Sequence, residues 1–268
     1  MKRDKKEKLN IDEVMALAMS GIPISKIRKT TLEEFDRLYD ENPDLESYIQ
    51  RANKILDQQE ALGIKLLSVQ DEYFPTLLLK IGEDCPPVIH LLGNMDLLKE
   101  PKAVAIIGAR AADKEGNSKA YELGKKYAKD GYVIVSGLAL GCDTSAHVGC
   151  LDTGGKTIAI VGSGLDIIHP RESTALQKRI LENEGLIMSE LPIGVKASPR
   201  TLVQRNRLQA AISNAVILAQ CPSESGSLHT MRFARKYKKK SLAVKFPLRT
   251  DANAGNFDLI ENNMAQPI

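Results

Sequence analysis

Four times between Val104 and Pro247 a short apolar run ends in glycine or serine and gives way to a helical pattern. The segments are VAIIGAR at 104–110, VIVSGLALGCDTSAH at 133–147, IAIVGSGLD at 158–166, and SESGSLHT at 223–230 after the run AVILAQ. Backbone amides at the end of a strand and the start of a helix hold phosphate without needing a side chain. The residues so placed are Gly108 in the first loop, and Ser136, Gly137 and Gly141 in the second. Gly162, Ser163 and Gly164 follow in the third, and Ser225, Gly226, Ser227 and Thr230 in the fourth. The chemistry they predict is anion binding in a phosphate-lined crevice.

Cations accompany these loops. Arg110 follows Gly108 closely, where it suits a phosphate oxygen or a nucleic-acid backbone. A dinucleotide fold would want GxGxxG here, yet no second glycine comes before Gly116, which disfavours a nicotinamide site. In SPRTLVQRNRLQAAIS at 198–213, Arg200, Arg205 and Arg207 bracket Asn206 in the opening part of a helical pattern. Arginines there oppose the helix dipole and call for an anionic partner, either nucleic-acid phosphate or an internal carboxylate. The run KYKKK at 236–240 closes a helix instead, where the dipole favours cations, and reads as a solvated face.

Signals for catalysis are thinner. Asp143 and His147 stand four apart and share a helix face, so they can hydrogen-bond to each other. Such a pair more often fixes a loop than moves protons, and both are read as structural. Asp166 suits a ribose hydroxyl or a turn cap. Cys85, Cys142, Cys150 and Cys221 form no CxxC, and His147 with Cys150 is too few ligands for zinc. Reduced, buried thiols are expected, with no metal and no cofactor.

These residues need a frame to position them. Strand candidates at 103–107, 132–136, 157–161, 186–189, 215–219 and 241–245 alternate with helices near 117–130, 142–153, 173–184, 201–213 and 226–238. That alternation predicts an α/β fold with a largely parallel sheet covered on both faces. Further strands are expected at 64–69 and 88–93, with a short helix after Pro75 and another around 256–263. Residues 11–62 are helical in pattern: IDEVMALAMS has a helix face, Thr31 and Glu34 form a capping box, and Pro43 opens a helix that stops near Gly63. The division expected is a helical subdomain over 1–62, led by a solvated, frayed segment at 1–10, and a main body over 63–268. Within the latter the sheet domain proper begins near Pro101.

Composition bounds the partners. A net charge of +3 means that any nucleic-acid surface is a local patch and not a global excess. Aromatics are 4% and tryptophan is absent, which limits aromatic stacking. MKRDKKEK leads into an amphipathic pattern, not an apolar core, and no apolar run reaches the roughly 20 residues of a membrane span. A cytoplasmic location is expected.

Together the motifs resemble the DNA processing protein A (DprA/Smf) family. The matching segments are IIGAR, SGLALGCDTSAH, TIAIVGSGLD with HP, LIMSELP, RNRLQAAIS, SGSLHT and GNFDLIENNMA, with YFPTLLLKIGEDCPPVIHLLG upstream. The resemblance covers about 70–265. It implies an extended Rossmann-like domain that is no enzyme, binds single-stranded DNA and helps load a RecA-type recombinase during uptake of transforming DNA. Its basic DNA-contacting positions fall on Arg110, Arg205 and Arg207, and family members are typically homodimers. The chain departs from the pattern at Leu202, where an aromatic residue is common, at Gln220, where an acid is usual, and at Leu248, where a glycine follows Pro247. The family's frequent C-terminal winged helix is not expected before Ile268. An enzyme of the same superfamily, a phosphoribohydrolase, would carry PGGxGTxxE where SESGSLHT stands. A nucleotide-sensing module is the remaining alternative.

Overall fold

The apolar runs form a nine-stranded sheet in a computed structural model that describes residues 8–99 and 102–268. The leader up to residue 7, and Pro101, where the sheet domain is expected to begin, lie outside the described residues. In chain order the strands are β1 (Lys65–Ser68), β2 (Val88–Gly93), β3 (Ala103–Ile107), β4 (Val133–Ser136) and β5 (Thr157–Ile160). They continue with β6 (Leu186–Ser189), β7 (Ala215–Leu218), β8 (Lys240–Ala243) and β9 (Gln266–Pro267). Their order in space is β1-β2-β6-β5-β4-β3-β7-β8-β9. Strands β3 to β9 pair in parallel, while β2 runs antiparallel to both β1 and β6.

The central strands are buried along their whole length, as continuous β-branched runs require when both sheet faces are covered. On one face Val104, Ile106, Ile134 and Ile217 pack with residues of α6 (Lys114–Lys129) and α7 (Cys142–Leu151), and α8 (Thr174–Glu182) extends this layer. On the other, Ala105, Ile107, Val135 and Ile160 meet α5 (Thr76–Leu79), α9 (Pro199–Ile212) and α10 (Ser227–Lys236). A last helix, α11 (Ala254–Glu261), precedes β9. Among the described residues no helix is long and apolar enough to cross a membrane.

Ahead of the sheet come α1 (Ile11–Met19), α2 (Ile24–Ile27), α3 (Leu32–Glu41) and α4 (Asp44–Ala61). The Thr31/Glu34 capping box forms as the spacing predicts, each side chain accepting from the other residue's backbone N–H. The apolar faces of these helices are not a separate core. Val14, Leu17, Ile27 and Leu45 belong to one cluster with Leu78, Ile89 and the sheet. Gln70 stitches the two parts, its Nε2 donating to the carbonyls of Ile27 at 2.7 Å and Thr30 at 2.9 Å. Its Oε1 accepts from Leu9 N at 2.8 Å, so the expected frayed leader is already anchored and buried at residue 9.

Candidate functional site

In sheets of this kind ligands sit beyond the carboxyl ends of the strands, where the strand order reverses. Here β3 is flanked by β4 on one side and β7 on the other, and the loops that follow these three strands enclose a cavity of about 650 Å³. The first half of α9 closes it. Arg110 stands exposed at its mouth. Gly108 and the fourth loop are joined across it, since Ser227 Oγ donates to the Gly108 carbonyl at 2.7 Å. Ser225, Gly226, Ser227 and Thr230 all line the cavity at the start of α10, and the Ser227 N–H is taken by Ser225 Oγ. Asn206 Nδ2 donates to the Gly226 carbonyl at 3.4 Å and holds α9 against the same loop.

The floor is a buried charge cluster. Arg205 is 4% exposed, and its guanidinium fills the space that a side chain on residue 137 would occupy. A Cβ on Gly137 would fall 1.8 Å from Arg205 Nη1. Gly137 is therefore a niche for an arginine, not a phosphate-binding glycine. Its N–H is spent on Asp143 Oδ2 at 3.1 Å, so a carboxylate of the protein occupies the anion position of the second loop. Gln209, in the amide orientation that satisfies both neighbours, accepts from Gly137 N at 3.0 Å and Arg205 Nη1 at 2.7 Å. Burial raises the Asp143 carboxyl above its usual range, while Arg205 and the loop amides pull it back. Burial lowers Arg205 to about 10, so it remains a cation at neutral pH. Arg205 Nη1 also donates to the Ile160 carbonyl, and Nε is buried without a hydrogen-bond partner.

Several expected site residues lie elsewhere. Helix α9 begins at Pro199 under a Ser198/Thr201 cap, so only Arg200 stands in the first turn, and it is exposed outside the cavity. Arg205 and Arg207 sit further along the helix, where the dipole conflict does not apply. Arg207 points away from the crevice. Its guanidinium forks onto Glu190 at 2.5 and 2.6 Å, and its Nε donates to the Asp84 carbonyl at 2.7 Å. Burial opposes that cation, but Glu190 outweighs it and the net shift is upward. The internal carboxylate, not phosphate, is Arg207's partner.

The third loop also faces inward. Ser163 Oγ donates to the Ile167 carbonyl at 2.9 Å, Gly164 abuts the Pro192 carbonyl, and Gly162 lies under the backbone of Leu202. Ser136 Oγ donates to the Ile106 carbonyl at 2.6 Å inside the sheet. Gly141, at φ +76°, caps α7 where a side chain would strike the Ala109 and Arg110 carbonyls. Asp166 accepts from Gly194 N with both oxygens and caps a turn. Asp143 and His147 are both buried, but His147 Nδ1 bonds Thr157 Oγ1 at 2.7 Å instead of Asp143. Leu202 is half-buried and lines the cavity beside Arg205. Two functional neighbours escaped the sequence reading. Gln209 is four residues after Arg205 and so on its helix face, a findable signal. Glu190 follows β6 in a motif that gives no hint of Arg207.

Residues 65–268 match the family of DNA recombination-mediator protein A. The chain belongs to that family. It is 38% identical to the DNA processing protein DprA of Streptococcus pneumoniae over 194 residues, which are 72% of this chain and 67% of that protein. It is 33% identical to Protein Smf of Synechocystis over 212 residues, 78% of this chain and 53% of the relative. The chain thus spans about half to two thirds of the length of such curated relatives. The X-ray structure of DNA processing protein A from Streptococcus pneumoniae superimposes with a TM-score of 0.75 at 29% identity, over 98% of this chain and 91% of that one. DNA processing protein A of Helicobacter pylori, which has a single-stranded DNA binding mode, superimposes with a TM-score of 0.67 at 32% identity, over 76% and 90%. In this family member Gln220 is fully buried, and its Oε1 accepts from Asp113 N at 3.1 Å, so the amide anchors the first loop.

Proposed function

We propose that this family member binds single-stranded DNA in the crevice and, as a cytoplasmic homodimer without catalytic activity, helps load a RecA-type recombinase during DNA uptake or recombination. The observation that carries the reading is one exposed arginine, Arg110, facing the start of α10 across a cavity whose floor is a buried arginine. A flexible single strand can lead a phosphate into such a cavity, whereas a rigid duplex cannot. Arg110 and the backbone amides of Ser225 and Gly226 would hold the backbone, while the Ser225 and Ser227 hydroxyls, bonded to each other and to the Gly108 carbonyl, fix the loop. Leu202 and Asn206 would meet the base, and Arg205 would contribute field from below without direct contact at its paired nitrogen. Support for the identity of the ligand comes from the Helicobacter pylori relative.

Gel shifts with single- and double-stranded oligonucleotides at two salt concentrations test this. Single strands should bind more tightly, with affinity falling as salt rises. Arg110→Ala should flatten the log–log salt slope by about 0.7, one phosphate contact on a single strand. Tighter binding to duplex, or an Arg110→Ala slope equal to the parent's, would overturn the reading.

A further inference from the structure

We propose that the opposite edge of the sheet, at the amino ends of β4, β3, β7 and β8, is a second nucleic-acid contact that takes the phosphate backbone of a longer strand. The reading of the crevice supplies only the identity of the polyanion; the surface itself is argued from its own residues.

Neighbouring strands bring the residues of this edge together. Val133 N donates to the Lys102 carbonyl at 2.8 Å, Asn214 N donates to the Ala103 carbonyl at 2.8 Å, and Lys240 pairs with Ala215. Four adjacent strands span about 15 Å at their usual spacing. Lys102 Nζ lies 5.8 Å from the ring centre of Tyr132, which meets Tyr127 edge-on at 5.4 Å. Lys126 Nζ lies 5.8 Å from the Tyr127 ring, and Lys129 closes α6 beside it. On the far side, Lys238 and Lys239 precede Lys240, and Lys80 is near enough to Lys239 to weaken its hold on a proton, adding to the effect of burial.

Among the described residues Asp130 is a carboxylate of this edge, and its charge reaches Tyr127. Against it the seven described lysines leave a local excess of six positive charges among these residues, against +3 for the whole chain. Among the described residues Lys236, Lys156 and Lys99 are taken by Asp84, Glu184 and Asp96, and no ion pair reaches the seven. Helix ends do not absorb the excess. The C-termini of α6, α9 and α10 offer about half a negative charge each, and Lys239 already sits on the Ala211 carbonyl of α9 at 2.7 Å. Lysines are compact, hydrated charges that suit a mobile polyanion more than a single bidentate group. A membrane is a poor fit, since the exposed large apolar residues, such as Leu62, Leu140 and Leu248, lie on other segments.

The test compares a hexamer, which on the crevice reading is anchored there by one phosphate, with a 40-mer that can reach both edges. The edge variant replaces Lys102, Lys126, Lys129, Lys238 and Lys240 by alanine. A control of equal charge replaces Arg37, Arg51, Lys54, Lys65 and Lys178. The edge variant should bind the hexamer within about two-fold of the parent. On the 40-mer it should lose at least about ten-fold at 0.1 M salt and flatten the slope by roughly 2 to 3.5, from about 0.7 per phosphate contact. The control should keep the parent's slope within about one. An unchanged edge-variant slope, an equal loss in the control, or a loss confined to anionic vesicles would overturn the proposal. Failure of the crevice reading looks different: the parent would not bind the hexamer, or Arg110→Ala would leave its binding unchanged, while the edge variant still weakened the 40-mer.

Discussion

Removing Glu190 should damage the fold and spare the DNA. The Arg207 and Glu190 side chains are 9% and 10% exposed and meet through two parallel hydrogen bonds. Glu190→Ala leaves a guanidinium buried without its counter-charge, a change that costs about 3–5 kcal/mol. With an unfolding entropy of about 2.1 cal/mol/K per residue, the 268 residues give about 0.56 kcal/mol/K. The melting temperature should therefore fall by about 5–9 °C. Arg207→Met with Glu190→Leu should recover most of that loss, because exchanging a whole buried pair for apolar groups is often neutral. Differential scanning fluorimetry on the parent, Arg207→Met, Glu190→Leu and the double variant closes the cycle, and a salt titration of single-strand binding runs in parallel with Glu190→Ala and Arg207→Ala. If Arg207→Ala melted like the parent and lost about 0.7 from the salt slope, Arg207 would be a phosphate contact and the internal pairing would be irrelevant.

Three further outcomes follow from particular contacts. Leu202→Phe places a ring at the cavity wall, where base stacking worth about 1–3 kcal/mol should tighten single-strand binding roughly five-fold to a hundred-fold with no change in salt slope; weaker binding with a lower melting temperature would place Leu202 in the core. Gly137→Ala drives a methyl into the Arg205 guanidinium and should cost about 1–3 kcal/mol, so a parent-like urea midpoint would contradict the niche. Burial lowers His90 to about 4 and His147 to about 3, both below the unfolded value of 6.5, so their contribution to stability is complete above pH 6.5 and declines as the unfolded chain takes up protons below it. Each should lose roughly 2 kcal/mol between pH 7 and pH 5. Asp143, raised by burial, acts in the opposite sense. The measurement is therefore the parent's urea midpoint shift minus that of His147→Leu, and equal shifts would refute the assignment.

The sequence carried the central strands almost residue by residue, because β3, β4, β5 and β7 are β-branched runs, whereas β1 and β8 hold no β-branched residue and β9 was not expected. Residues 103–107, 88–93 and 186–189 are strands over the ranges their composition predicts. The crevice was legible as glycine loops at strand ends, but the loops were not equivalent, and nothing local distinguishes them. What separates them is which anion or cation the fold brings there: Asp143 from six residues on fills the second loop, and the backbone of α9 lies over the third. Arg207 and Glu190 are 17 residues apart on different elements, and their meeting depends on where α9 crosses the end of β6. Arg205 misled for a related reason. Its charge reads as exposed, yet the missing side chain at Gly137 admits it to the interior.

The division expected at residue 62 is one of pattern, and the buried apolar cluster runs across it. Val14, Leu17, Ile27 and Leu45 have spent their apolar surface on the same cluster as Leu78 and Ile89. Gln70 binds three backbone groups of the leading segment that water would otherwise have to solvate. Helices joined in this way are not portable. Grafted elsewhere they would arrive without their other half, and the sheet left behind would be greasy on that flank. Melting should accordingly be a single event for both parts, and a distortion at the leading helices would be felt by the strand that precedes the crevice domain.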